Sequence, residues 1–182
     1  MNLEEKEISR KYYFKGRIIK VREDCVRLPD GKDAKREVVE HPGGVSVVAV
    51  TDNNEILAVR QFRYPYKEVL LEIPAGKFDF VGEDPEEAVR RELREEKGAT
   101  ADTLIKLGVI YPSPGCYGEN LHLFAAKGLH FGETDPDDDE FLEVERVPLK
   151  EFSKLVMDGK IKDAKTEIGI LKIEKLINEG KF

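Results

Sequence analysis

The sequence predicts an α/β fold, with helices packed on one mixed or antiparallel sheet and an antiparallel β subregion at the N-terminal end. Three observations predict it. Apolar and charged residues alternate with a period near two through the early part of the chain. Short apolar runs at 45–50, 55–63 and 68–73 are separated by turn-forming residues. Helical spacing of apolar residues appears at 84–98, 148–159 and 164–180. At 182 residues the chain is near the size of one domain and long enough to bury a core.

The first expected strand is YYFKGRIIKVREDCVRL at 12–28. Pro29, Asp30 and Gly31 are turn formers, so REVVEH reads as the returning arm of a hairpin. Tyr12, Tyr13 and Phe14 are read as packing residues rather than as a platform for a base. After Pro42, Gly43 and Gly44 come VSVVAV, a DNN turn at 52–54, EILAVRQFR and EVLLEI, three closely spaced strands. TLIKLGVI, NLHLFAAKG and FLEVERV supply further strands, and PLKEFSKLVMDG and AKTEIGILKIEKLINEG supply helices. There is no internal repeat, and the long charge run ETDPDDDE at 133–140 reads as an acidic loop.

Composition narrows the function classes. Hydrophobic residues make up 40% of the chain, and no stretch approaches the roughly 18 to 20 apolar residues of a membrane span. The opening MNLEEKEISRK is charged and lacks the apolar core of a secretory signal, so a cytoplasmic protein without a membrane partner is expected. Cys25 and Cys116 are too few for a disulfide framework and are read as reduced, and three histidines (His41, His122, His130) are too few for a zinc cluster. Thirty basic against thirty-seven acidic residues give a net charge of −7, which opposes nonspecific nucleic-acid binding. A small anionic substrate would need a metal or local arginines.

The helix at 84–98 has the clearest chemical character. Asp84 suits the N-cap, Pro85 the first helical position, Glu87 the capping-box position, and Gly98 the C-terminal stop. Within it Glu92, Glu95 and Glu96 fall in an arc of about 100°, beside Ala88, Val89 and Leu93 and opposite Arg90, Arg94 and Lys97. Clustered carboxylates repel one another and are costly at a buried edge unless paired or metal-bound. The choice at this point lies between a cation site for Mg²⁺ or Mn²⁺ and a charged surface helix with weak i, i+4 pairs.

The larger pattern from Gly76 to Ala99, GKFDFVGEDPEEAVRRELREEKGA, resembles the signature box of the Nudix hydrolases. Glu83 is followed by seven residues, then Arg91, Glu92, Leu93, any residue, Glu95, Glu96, any residue and Gly98. One departure stands out: six residues separate Gly76 from Glu83, one more than the family pattern has. The extra residue is expected to be absorbed in the loop, and a displaced Gly76 would put the role of Ala75 in question. VRQFRYP, LLEIPAGK, and YPSPGCYGENLHLFAA with Pro114 sixteen residues past Gly98 are similar to the ADP-ribose pyrophosphatase subgroup, as is DAKTEIGILKI near the end.

This resemblance implies a Nudix-type mixed β-sheet sandwiched by helices, divided into a hairpin subregion at 1–42 and a hydrolase domain at 43–182. It implies Mg²⁺-dependent hydrolysis of the diphosphate of ADP-ribose, with water as nucleophile. Metal ligands would be Glu92, Glu96, Glu95 and the Ala75 carbonyl, with Arg91 orienting carboxylates and paired with Glu83. Glu140, just before FLEVERV, would be the catalytic base beside Glu95 and Arg91. Arg63, whose guanidinium can grip a phosphate in two places, is the candidate substrate anchor, with Glu37, Glu72 and Pro114 as further candidate substrate-binding residues; Glu37 and Glu72 read equally as paired strand carboxylates, and Arg60 reads as structural. The resemblance also implies a homodimer whose N-terminal strands embrace the neighbour. Two other readings stand beside this one: a pyrophosphatase for another nucleoside diphosphate sugar, and a non-hydrolysing ADP-ribose-binding module, which would tend to have lost box glutamates.

Overall fold

The structure is a computed structural model that describes residues 2–80, 82–132 and 141–182, and for residues 96 and 97 the backbone only. The chain divides into two compact units, Met1–Gly43 with Tyr111–Asn120, and Gly44–Ile110 with Leu121–Phe182.

In the first unit, β1 (Lys6–Lys15), β2 (Lys20–Arg27) and β3 (Asp33–Glu40) form a three-stranded antiparallel sheet in the order β1-β2-β3. The run 12–28 is therefore two strands rather than one. The chain reverses at Gly16, whose N–H donates to the Ile19 carbonyl (2.9 Å) and where a Cβ would meet the Phe14 ring at 2.6 Å. The β2–β3 turn runs through Gly31 at φ +86°, a conformation that favours glycine. The 111–120 segment adds to β3, since Val39 N–H donates to the Cys116 carbonyl and Gly118 N–H to the Val39 carbonyl, each at 2.8 Å. Tyr12 donates its hydroxyl to Glu40 Oε1 (2.9 Å). Tyr13 and Phe14, expected to pack, are 61% and 53% exposed. They lie on β1, which is at the edge of its sheet among the described residues.

The second unit contains β4 (Gly44–Val50), β5 (Glu55–Arg63), β6 (Glu68–Glu72), β7 (Ala75–Lys77), α1 (Pro85–Lys97), β8 (Ala99–Ile110), β9 (Leu121–Phe131), β10 (Leu142–Pro148), α2 (Leu149–Met157) and α3 (Ala164–Asn178). Its seven strands run in the order β10-β5-β4-β9-β8, with β6 added on β5 and β7 on β4. Only the β4–β9 ladder is parallel among the described pairs, so the sheet is mixed.

Every residue of β4 is buried, as a strand covered on both faces requires. Its alternation divides the core. Val45, Val47 and Ala49 pack with Ala88, Val89 and Leu93 of α1, and with Phe124 and Ala126 of β9. Val48 and Val50 pack on the other face with Phe152 and Val156 of α2, and with Ile170 and Ile173 of α3. Gly169 lets α3 approach closely, because a Cβ there would meet Val48 Cγ2 at 2.8 Å and Ile73 Cδ1 at 3.0 Å. The expected sheet between helical layers is thus what forms. The three-residue β7, absent from the sequence expectations, brings Gly76 opposite Val45.

Candidate active site

Local sequence sets α1. Asp84 Oδ1 accepts from the N–H groups of Glu86 (2.8 Å) and Glu87 (3.2 Å), satisfying donors that the first turn leaves open. Pro85 takes the first helical position, and Gly98 ends the helix at φ 56°. The apolar stripe of Ala88, Val89 and Leu93 fixes the rotation of the helix on the sheet. That rotation leaves Glu92 buried at the edge of the core and Glu95 half-buried beside it. Glu96 occupies the next position of the helix, with its side chain outside the described atoms.

Arg91 organises the carboxylates. Its Nη1 donates to Glu92 Oε1 (2.8 Å) and to Glu95 Oε2 (3.2 Å), and its Nη2 donates to the Lys77 carbonyl (3.2 Å). Nε and Nη2 reach Glu83 Oε1 at 3.4 and 3.3 Å, and Nε lies 3.1 Å from Asp79 Oδ2. Glu83, with 7% of its side chain exposed, also accepts from the Asp79 N–H (2.8 Å). The loop from 77 to 84 is thereby tied to the helix through one guanidinium. Burial would favour its neutral form, but Glu92, Asp79 and Glu83 outweigh burial and raise its pKa further above the usual arginine value.

The glycine of β7 makes room for this arrangement. A Cβ on Gly76 would fall 1.8 Å from Glu92 Cδ and 1.9 Å from Oε1, so the carboxylate occupies the space a side chain would need. Gly76 keeps its ladder position opposite Val45, and Ala75 keeps its position opposite Ser46.

The donor chemistry fits a hard divalent cation, because carboxylates on one helix and backbone carbonyls are the oxygens such ions prefer. Among the described side chains, no three His, Cys, Asp or Glu groups close to ligand spacing, and Glu92 and Glu95 both reach Arg91.

A second charged group lies at β5, β6 and the start of α3. Arg63 holds Glu72 with both arms of its fork, Nε to Oε1 and Nη2 to Oε2, each at 2.7 Å. Lys165 Nζ donates to the same Glu72 Oε2 and lies 2.9 Å from Asp163 Oδ2. Asp163 caps α3 by accepting from the Thr166 N–H (3.1 Å), and Thr166 Oγ1 accepts from the Ile73 N–H (2.9 Å). Burial alone would push the Glu72 carboxyl up, but the hydrogen bonds from Arg63 and the charge of Lys165 prevail and hold it at about 2.

The remaining expectations distribute as follows. Arg60 Nε donates to Glu145 Oε2 (2.7 Å) across the β5–β10 pair. Glu37 is exposed on β3 opposite Glu23, and Pro114 is exposed in the 111–120 turn of the first unit. Glu140 lies outside the described residues. His122 packs edge-on against the Phe78 ring, and burial together with Lys106 lowers its pKa, so its ring is neutral at pH 7. Sequence reasoning missed Asp79, Asp163, Lys165 and Thr166. The available signal was a lysine within the first turn of an otherwise apolar helix face, next to an N-cap aspartate.

Residues 40–167 match the NUDIX domain, and residues 5–39 match the nucleoside diphosphate sugar hydrolase N-terminal domain. The chain is 46% identical over 171 residues to a protein of Bacillus subtilis named ADP-ribose pyrophosphatase, covering 93% of this chain and 92% of that one. It is 41% identical over 169 residues to a protein of Bacillus methanolicus named methanol dehydrogenase activator, covering 92% and 91%. A crystal structure of an ADP compounds hydrolase superposes with a TM-score of 0.85 over 100% of both chains at 22% identity, a likeness of fold.

Proposed function

Because this chain belongs to the NUDIX domain family, we propose that it is a divalent-cation-dependent hydrolase that splits ADP-ribose into AMP and ribose 5-phosphate. The observation that carries this reading is the near full-length similarity to a relative named ADP-ribose pyrophosphatase. The carboxylate cluster around Arg91 supports it from the side of the chemistry.

Glu92, Glu95, Glu96 and the Ala75 carbonyl would hold Mg²⁺, or Mn²⁺ in its place. When bound, the cation neutralises the diphosphate and polarises the attacking water. Arg91 keeps the carboxylates oriented, and its ties to Asp79 and Glu83 hold the preceding loop against the helix. Glu140 is the proposed base that takes the proton of the water as the new P–O bond forms and the bridging P–O bond breaks. Arg63 offers a planar fork that suits a phosphate as well as a carboxylate, with Glu37, Glu72 and Pro114 as the other proposed substrate contacts. We further propose a homodimer formed through the N-terminal strands and a cytoplasmic site of action. The exposed Ile8, Tyr13 and Phe14 of β1 support the first, and the free thiols of Cys25 and Cys116 support the second. No described helix is long and apolar enough to cross a membrane.

The match of residues 5–39 to an N-terminal domain of nucleoside diphosphate sugar hydrolases fits ADP-ribose and other sugar nucleotides alike, and similarity to a protein named GDP-mannose pyrophosphatase supports a second reading, in which another sugar nucleotide is cleaved. Purified protein with Mg²⁺ and a panel of ADP-ribose, ADP-glucose, GDP-mannose, diadenosine polyphosphates and nucleoside triphosphates, analysed by chromatography, separates the two. AMP and ribose 5-phosphate formed chiefly from ADP-ribose support the first. Faster cleavage of another sugar nucleotide replaces the substrate and keeps the chemistry. Binding of ADP-ribose without release of AMP would overturn hydrolysis and leave a binding module.

A further inference from the structure

We propose that Lys165, in the first turn of α3, is a positioning residue that acts through Glu72 to make the Arg63 guanidinium available to the diphosphate of the substrate. The identity of that ligand rests on the hydrolase reading above.

The geometry is one carboxylate with two cations. Glu72 has 1% of its side chain exposed and accepts from Arg63 at both oxygens, while Lys165 Nζ donates to one of them. The two cations differ in access, with 10% of the Lys165 side chain exposed against 37% for Arg63. Lys165 is also fixed from behind. Its ammonium lies 2.9 Å from Asp163 Oδ2, the same carboxylate that caps α3, so the start of the helix determines where the charge sits.

A guanidinium fork matches a phosphate oxygen pair as well as it matches a carboxylate. An incoming diphosphate therefore competes with Glu72 for Arg63. Were Arg63 the sole partner, its departure would strand an ionised carboxylate in the interior, a strongly unfavourable state. Lys165 removes that obstacle, because Glu72 retains a buried counter-ion when the outer cation turns away. A bare tie between α3 and β6 would need no second cation, since Thr166 Oγ1 already joins the helix to the Ile73 N–H.

The test uses the full chain and steady-state kinetics with the panel substrate that wild type cleaves fastest. Lys165→Met keeps the length of the side chain and removes the charge, which commits Arg63 to Glu72. KM is expected to rise about tenfold while kcat stays within about threefold. Lys165→Gln removes the same charge while keeping a hydrogen-bond donor toward Glu72, so it is read in place of Lys165→Met if that variant fails to fold, with the same rise in KM expected. Lys165→Arg keeps a cation beside Glu72 and is expected to hold KM within about threefold of wild type. An unchanged KM in the folded charge-removing variant, or a KM in folded Lys165→Arg raised as far as in that variant, overturns the proposal. A thermal melt of each variant reports the structural tie separately. Absence of turnover in wild type would remove the hydrolase reading and this role with it, whereas normal wild-type turnover with an unaltered KM in Lys165→Met removes the Lys165 role alone.

Discussion

The Glu92 carboxylate lies where a side chain at Gly76 would have to be, 1.8 Å from an added Cβ. Strand β7 and helix α1 thus meet through an absence of atoms, and the closest point of that meeting is a proposed metal ligand. Gly76→Ala is expected to drive Glu92 off its position and weaken metal affinity by about 10- to 100-fold, as loss of support around a ligand does. Titration with Mn²⁺ followed by electron paramagnetic resonance measures this directly. Wild-type affinity in the variant would mean that Glu92 is not a ligand.

Arg91 compensates Glu83 and Glu92, both largely withdrawn from water. Arg91→Ala should cost roughly 3 kcal/mol of stability without divalent cation, because it leaves carboxylates with less compensation. Added Mg²⁺ should recover part of that loss, since a ligand bound to the folded state stabilises it. The comparison is between urea denaturation midpoints of wild type and variant with and without Mg²⁺. An equal deficit in both conditions would separate Arg91 from the cation site.

Acid stability should report on Glu72. Its carboxyl is held at about 2 against an ordinary 4.5, so as pH falls the unfolded chain takes up this proton first. The stabilisation is complete above about pH 4.5 and is lost as pH falls toward 2, a total of roughly 3 kcal/mol. Glu72→Gln is expected to be less stable than wild type at pH 7, with the gap closing through this window. Urea unfolding at pH 7, 4.5 and 3 would show a constant gap if Glu72 were not the group responsible.

The two proposed catalytic carboxylates should differ in how they fail. Glu96→Gln removes a proposed ligand, so turnover should fall by about 100-fold or more, with partial recovery at high Mg²⁺. Glu140→Gln removes a proposed base and should lower kcat by about 100-fold at unchanged metal affinity. Initial rates across a Mg²⁺ series distinguish them. Near-normal turnover in either variant would cancel the role assigned to that residue.

How much of this could be read from the chain depended on the range of each interaction. Helix α1 was legible to the residue, because Asp84, Pro85 and Gly98 act on their immediate neighbours and Leu93 and Glu92 declare the buried edge by period alone. The reversal at Gly16 was not, since charged and apolar residues alternate on both sides of it and mask the turn. Strand β7 was too short to show a period, and its position comes from its partner Val45. Arg63 and Glu72 stood out in the sequence as candidate binding residues, but their pairing with each other, and that of Glu72 with Lys165 across 93 positions, exists only once β6 and α3 have met.

The parallel ladder between β4 and β9 imposes an order of assembly. Gly44 stands opposite Leu121, so this pairing closes a long loop that includes β5, β6, β7, α1 and β8. Such a closure spends chain entropy before its contacts return any, and slow folding is the usual result. Local hairpins such as β8–β9 require no such wait. Helix α1 packs on Val45 and Val47 from one strand of the ladder and on Phe124 and Ala126 from the other. Its mutually repelling glutamates are therefore drawn together on a platform that is complete only after a strand made later in the chain has arrived. During synthesis the acidic helix leaves the ribosome before its support exists, and loss of a methyl at Val45 or Val47 would delay the seating of the proposed metal ligands as well as loosen the core.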